Sequence, residues 1–133
     1  KLVKYSNNDL IIFTNLLKNK KINEFKNKGI KVIYVNKNNK GLLEIKEILS
    51  FLNEMNINRL LVEGGSTISN SFVEKNLVNL IYWFSTFRNA GEDKLLNKSD
   101  KKLNKIRYSQ KFLLKDYINL RDNKLEIFSL KKD

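Results

Sequence analysis

Leu60-Leu61-Val62-Glu63-Gly64-Gly65-Ser66-Thr67 is the stretch that decides how the rest of the chain is read. An apolar run of strand type meets a carboxylate, two glycines and then hydroxyl residues of the kind that open helices. Paired glycines let the backbone approach a ligand closely. The helix start that follows presents amide N–H groups and the positive end of the helix dipole, a ready place for a phosphate. Ligands of open α/β sheets bind at the carboxyl ends of strands, and a carboxylate such as Glu63 at the end of an apolar strand is costly without a role. A glycine pair serving only as a turn, with Glu63 exposed or paired to a lysine, has the same sequence. Both readings stay open at this point.

Before this junction the pattern alternates between strands and helices. Leu10 to Thr14 is a short apolar strand, and Asn19 caps a helix over Lys20 to Lys28 that Gly29 stops. Ile30 to Val35 is β-branched and reads as a second strand, and 36–41 is a turn. Leu42, Ile45, Ile48, Leu49, Leu52 and Met55 recur at helical spacing. Arg59 to Glu63 is predicted as a third strand and Ser66 to about Asn76 as a third helix. Val78 to Phe87 is a strand rich in aromatics. This order predicts an α/β fold, a mixed and mostly parallel sheet flanked by helices. Two strand-like runs between Lys111 and Leu130, separated by Arg121-Asp122-Asn123-Lys124, predict a C-terminal antiparallel hairpin with Asp122-Asn123 at its centre. Residues 88–104 are charged and nearly free of apolar residues, and are expected to form a mobile loop.

Composition narrows the chemistry. The 133 residues contain neither Cys nor His. That removes disulfides, thiol nucleophiles, zinc fingers and Ser-His or Cys-His catalysis, and no metal site is expected. No apolar run approaches the ~20 residues of a membrane span, and the expectation is a cytoplasmic protein without a membrane partner. Lys and Arg number 26 against 14 Asp and Glu, a net charge of +12. The lysines are scattered through nearly every loop and helix, and arginines are few. A nucleic-acid surface would cluster them on one face with aromatics for stacking, so no nucleic-acid partner is expected.

Leu-Leu-Val-Glu-Gly-Gly-Ser-Thr, followed by Phe72 and by Leu77-Val78 leading into an aromatic strand, resembles the reductase domain of bifunctional riboflavin-biosynthesis deaminase-reductases. The elements before it agree in order. The resemblance implies a dihydrofolate-reductase-like fold and the NADPH-dependent reduction of 5-amino-6-(5-phosphoribosylamino)uracil to its ribityl form. By the same resemblance, Gly65, Ser66, Thr67, Ile68, Ser69, Asn70 and Ser71 match the segment that holds the NADPH diphosphate, and Glu63 matches a carboxylate that contacts substrate. Thr14 and Asn15 are candidates for the adenosine end of the cofactor, and Lys18 for its 2′-phosphate. No residue is assigned to catalysis. Hydride transfer asks a protein mainly for positioning, which is compatible with the absence of His and Cys.

The chain departs from the family pattern in three places. It starts after the stretch that normally supplies two opening strands and much of the substrate-phosphate site, so residues 1–133 are read as a single, N-terminally truncated reductase domain. Asn79-Leu80 replaces an acidic pair, and Thr86-Phe87-Arg88-Asn89-Ala90-Gly91 replaces a loop with a proline and paired glycines. The resemblance also implies a homodimer and an N-terminal deaminase domain in the full-length protein. Two alternatives remain: another dihydrofolate-reductase-like pteridine or pyrimidine reductase, against which Glu63 argues, and a non-catalytic scaffold or dimerisation remnant, which the altered loop favours.

Overall fold

A computed structural model of the chain describes residues 9–86 and 109–131. The chain divides into two compact units, Lys1–Leu60 and Leu61–Asp133. The expected loop at 88–104 lies outside the described residues.

In the first unit, β1 (Ile11–Thr14) pairs in parallel with β2 (Lys31–Tyr34), in register from Ile11 opposite Lys31 to Thr14 opposite Tyr34. Between them runs α1 (Lys20–Asn27), started by Asn19, whose side chain accepts the Lys21 amide at 2.9 Å. A second helix, α2 (Ile45–Glu54), follows β2. Ile22, Ile30, Val35, Ile45 and Leu52 are buried, and Val35 is fully so. The Val35 amide donates to Thr14 O at 2.8 Å, extending the parallel ladder by one bond.

The second unit opens with α3 (Ser66–Glu74), anchored by the buried Phe72. Three antiparallel strands follow: β3 (Leu80–Thr86), β4 (Phe112–Leu120) and β5 (Asn123–Leu130), in the order β3-β5-β4. The predicted mixed α/β fold and the C-terminal hairpin, β4 and β5, are both present, but the described strands form one parallel pair and a separate antiparallel sheet of three rather than a mostly parallel sheet. A bulge interrupts the hairpin register between Leu114 and Asp116.

The three helices of the described residues end in one device. Gly29, Asn56 and Asn76 take positive φ values of 74°, 60° and 55°. The next amide reaches back over the turn: Ile30 to Phe25 O, Ile57 to Leu52 O and Leu77 to Phe72 O, each at 3.0 Å. The residue at positive φ bonds two residues less far back, to Lys26 O, Asn53 O and Val73 O. This pattern satisfies the last carbonyls and brings an apolar residue past the helix end against one inside it. Gly29 is readable as a stop from sequence. The two asparagines are less so, because Asn adopts this conformation only as a minority choice.

Three further expectations change. Arg59 to Glu63 is not a strand: residues 57–65 carry no helix or strand. A strand needs a neighbour for its N–H and C=O groups, and Leu60 and Leu61 stay 47% and 71% exposed, so burial does not hold the run either. The second helix starts at Ile45 rather than Leu42. Asn38 Oδ1 accepts the Lys40 and Leu42 amides, Leu43 bridges to Lys37, and the Glu44 carboxylate caps the helix through the Lys46 amide. The hairpin turn is Arg121-Asp122 rather than Asp122-Asn123. Leu120 pairs with Asn123, and Arg121 carries the positive φ of 53°.

Candidate functional site

The glycine junction sits at the start of the second unit. Gly65 is the N-cap of α3, with φ −62° and ψ 165°, and no side chain caps the helix there. Its carbonyl accepts the amides of Ile68 at 3.1 Å and Ser69 at 3.3 Å. The amides ahead of these in the first turn have no helical carbonyl to reach. They point out of the helix start together with the positive end of its dipole.

The two glycines differ in physical role. A Cβ added to Gly64 would collide with Ile68 Cγ2, so a side chain there requires Ile68 in the first turn of α3 to move. Around Gly65 a Cβ would meet nothing within 4 Å, and its φ is ordinary for any residue. Nothing in the fold requires glycine at 65, and Ser, Asn or Asp would cap the helix better. The space beside Gly65 at the helix start is clear. The junction therefore fits a diphosphate brought against the backbone.

The other predicted residues fall on both sides of this point. Glu63 is exposed, in the extended segment before the glycines rather than at a strand end. Ser66, Ser69, Asn70 and Ser71 are half-buried, while Thr67 and Ile68 are exposed. Ser66 and Thr67 lie in the leading turn. Ser71 is more than a turn further on, where its hydroxyl donates to Thr67 O at 2.9 Å and is used within the helix.

In the first unit, Thr14 and Asn15 stand at the carboxyl end of β1, where a parallel pair presents ligands. Thr14 Oγ1 accepts the Leu16 amide at 3.1 Å and shapes the chain as it leaves the strand. Asn15 is half-buried and Lys18 exposed. Sequence reasoning missed Asn36 and Glu47, which meet at the same end of the pair. The Glu47 carboxylate accepts the Asn36 amide at 3.0 Å and its side-chain NH₂ at 3.3 Å. The available clue was the position of Asn36 just after the second strand, which reads equally well as the opening of a turn. Among the described residues no cluster of His, Cys, Asp or Glu could hold a metal ion, and no helix is long and apolar enough to cross a membrane.

The family described as the RibD C-terminal domain matches residues 2–101. No curated protein matches the sequence. Among solved structures, the chain is similar to Acinetobacter baumannii RibD, with 14% identity and a TM-score of 0.62 over 95% of this chain and 32% of that one. It is also similar to a pyrimidine reductase-like protein from Corynebacterium diphtheriae, with 12% identity and a TM-score of 0.64 over 92% of this chain and 50% of that one. The chain thus spans a third to a half of the length of these two proteins. The likeness shows the fold, which is the dihydrofolate-reductase-like fold expected from the sequence.

Proposed function

We propose that this chain, which belongs to the RibD C-terminal domain family, is the cofactor-holding part of an NADPH-dependent reductase. Its substrate in this reading is 5-amino-6-(5-phosphoribosylamino)uracil, whose ribosyl group becomes a ribityl chain. Family membership supports a pyrimidine reductase of riboflavin biosynthesis, and the substrate and the dinucleotide are the finer part of the proposal. The observation that carries it is Gly65, the N-cap of α3, where no side chain caps the helix and an added Cβ would meet nothing within 4 Å.

The nicotinamide, when bound, supplies the hydride. The chain's own residues bind and orient. The leading amides of α3, with the Ser66 and Thr67 hydroxyls beside them, grip the diphosphate without any charged side chain, because the dipole and several N–H donors converge on it. Glu63, two residues before the cap, is placed to accept hydrogen bonds from substrate hydroxyl or amino groups. This division of labour needs neither His nor Cys, since the protein's contribution is to hold donor and acceptor in reacting geometry.

The test is a titration of NADPH, followed by fluorescence or calorimetry, with the parent chain and Gly65→Val. The parent should bind. The variant should bind at least about tenfold more weakly, equivalent to about 1.4 kcal/mol, because its side chain fills the space in front of the amides. Equal affinity in a folded variant would overturn the reading, and absence of binding by the parent would favour the scaffold alternative.

A further inference from the structure

At the carboxyl end of the β1–β2 pair, wholly within the first unit, one side chain has its orientation dictated by the fold. Asn36 follows β2 closely, and nearly every polar group it carries is committed. Its N–H donates to Glu47 Oε2 at 3.0 Å, and its carbonyl accepts the Glu44 amide at 2.8 Å. Its side-chain Nδ2 donates to both Glu47 oxygens at 3.3 Å. An amide oxygen turned toward the carboxylate would be repelled, so Nδ2 faces Glu47 and Oδ1 faces away. Among the described residues, Oδ1 is the one polar atom of Asn36 without a partner.

A link between β2 and α2 needs less than this. The Asn36 N–H and C=O already make it, and those are backbone groups that other residues would offer equally. Asparagine adds an amide plane held on one side and an acceptor presented on the other. The support is itself anchored, because Glu47 lies in the first turn of α2, where the helix dipole favours a carboxylate.

This end of a parallel pair is where α/β sheets bind ligands. An acceptor with no donor beside it selects an N–H or O–H group and rejects a carbonyl oxygen. Asn36 cannot offer its own NH₂, which Glu47 holds. At the same end the chain leaves β1 through Leu16 and Leu17, which are 50% and 75% exposed. Thr14 Oγ1 holds the Leu16 amide there at 3.1 Å. Apolar contact area together with a fixed, directional acceptor suits a flat aromatic base that carries an exocyclic amino group.

We propose that Asn36 Oδ1 accepts the 6-amino group of adenine, and that Glu47 is the positioning residue that holds the amide for it. The inference rests on the dinucleotide reading above and adds to it a preference among bases. Adenine presents a donor at position 6, whereas hypoxanthine presents a carbonyl, which would meet Oδ1 lone pair against lone pair.

The experiment compares the binding of NADPH and of its hypoxanthine analogue to the 133-residue chain by calorimetry. The parent should bind NADPH at least about tenfold more tightly than the analogue. Asn36→Ala keeps the backbone link to Glu47 and should bring the two affinities within about threefold of each other. Glu47→Ala leaves Asn36 in place but free to turn its NH₂ outward, so the preference should collapse there too, through a gain in affinity for the analogue. A purely structural link would change both affinities together and leave their ratio alone. Far-UV circular dichroism confirms that each variant is folded. A parent that binds both dinucleotides equally would overturn this proposal and leave the reductase reading standing. A parent that binds neither would overturn that reading and this proposal with it. A tenfold preference that persists in folded Asn36→Ala or Glu47→Ala would remove the assigned residues.

Discussion

Replacing Gly64 by alanine and, separately, Gly65 by alanine should have different consequences for the folded chain, although the two residues are adjacent. At Gly64 the added methyl meets Ile68 Cγ2, and Ile68 Cβ lies 3.5 Å away. Rotating Ile68 would relieve the overlap, but isoleucine in a helix has one strongly preferred χ1, and leaving it costs about 0.5–1.5 kcal/mol. Shifting the backbone instead costs about 1–3 kcal/mol, as for other overpacked sites. Alanine recovers about 0.4–1 kcal/mol by restricting the unfolded chain. The cheaper route sets the outcome, so the net expectation is a loss of up to about 1 kcal/mol. At Gly65 the methyl enters open space at an ordinary φ. The same entropic gain there is offset by alanine's poor capping, so the change should stay within about 0.5 kcal/mol of zero. Thermal or urea unfolding followed by circular dichroism measures both. The double variant Gly64→Ala/Ile68→Ala provides the internal check. Ile68 is 45% exposed, so trimming it loses little and should restore most of the stability lost at Gly64. If Gly65→Ala is as damaging as Gly64→Ala, both glycines serve the turn, and the argument that position 65 is kept clear for a ligand fails. Absence of rescue in the double variant would refute the assigned contact.

Two further changes are expected to act on single, separable features. Arg121→Gly should stabilise the hairpin by about 0.5–1 kcal/mol, because Arg121 holds φ 53° at a cost of about 1–2 kcal/mol while glycine's added unfolded-state entropy takes back part of it; a lowered unfolding midpoint would contradict this. Glu63→Gln should raise KM for the pyrimidine substrate and leave the NADPH dissociation constant unchanged, and a change confined to the NADPH constant would remove Glu63 from the substrate side.

Much of this protein is set by local chemistry that a sequence displays directly. Asn19 caps α1 because its short side chain reaches the Lys21 amide, and Gly29 ends that helix because it takes positive φ without a Cβ penalty. Aromatic and aliphatic runs mark β3, β4 and β5, and the Glu-Gly-Gly-Ser-Thr junction marks a helix start that, alone among those of the described residues, has no side-chain cap. Each of these depends on residues within one turn or one strand. The tertiary structure decided what depends on a neighbour from elsewhere in the chain. Arg59 to Glu63 has strand composition but no strand, since composition supplies no hydrogen-bonding partner. Asn36 and Glu47 meet only because β2 and α2 bring residues eleven positions apart together. The two glycines look equivalent in sequence. Only the approach of Ile68 separates the one the fold requires from the one that leaves space for a ligand.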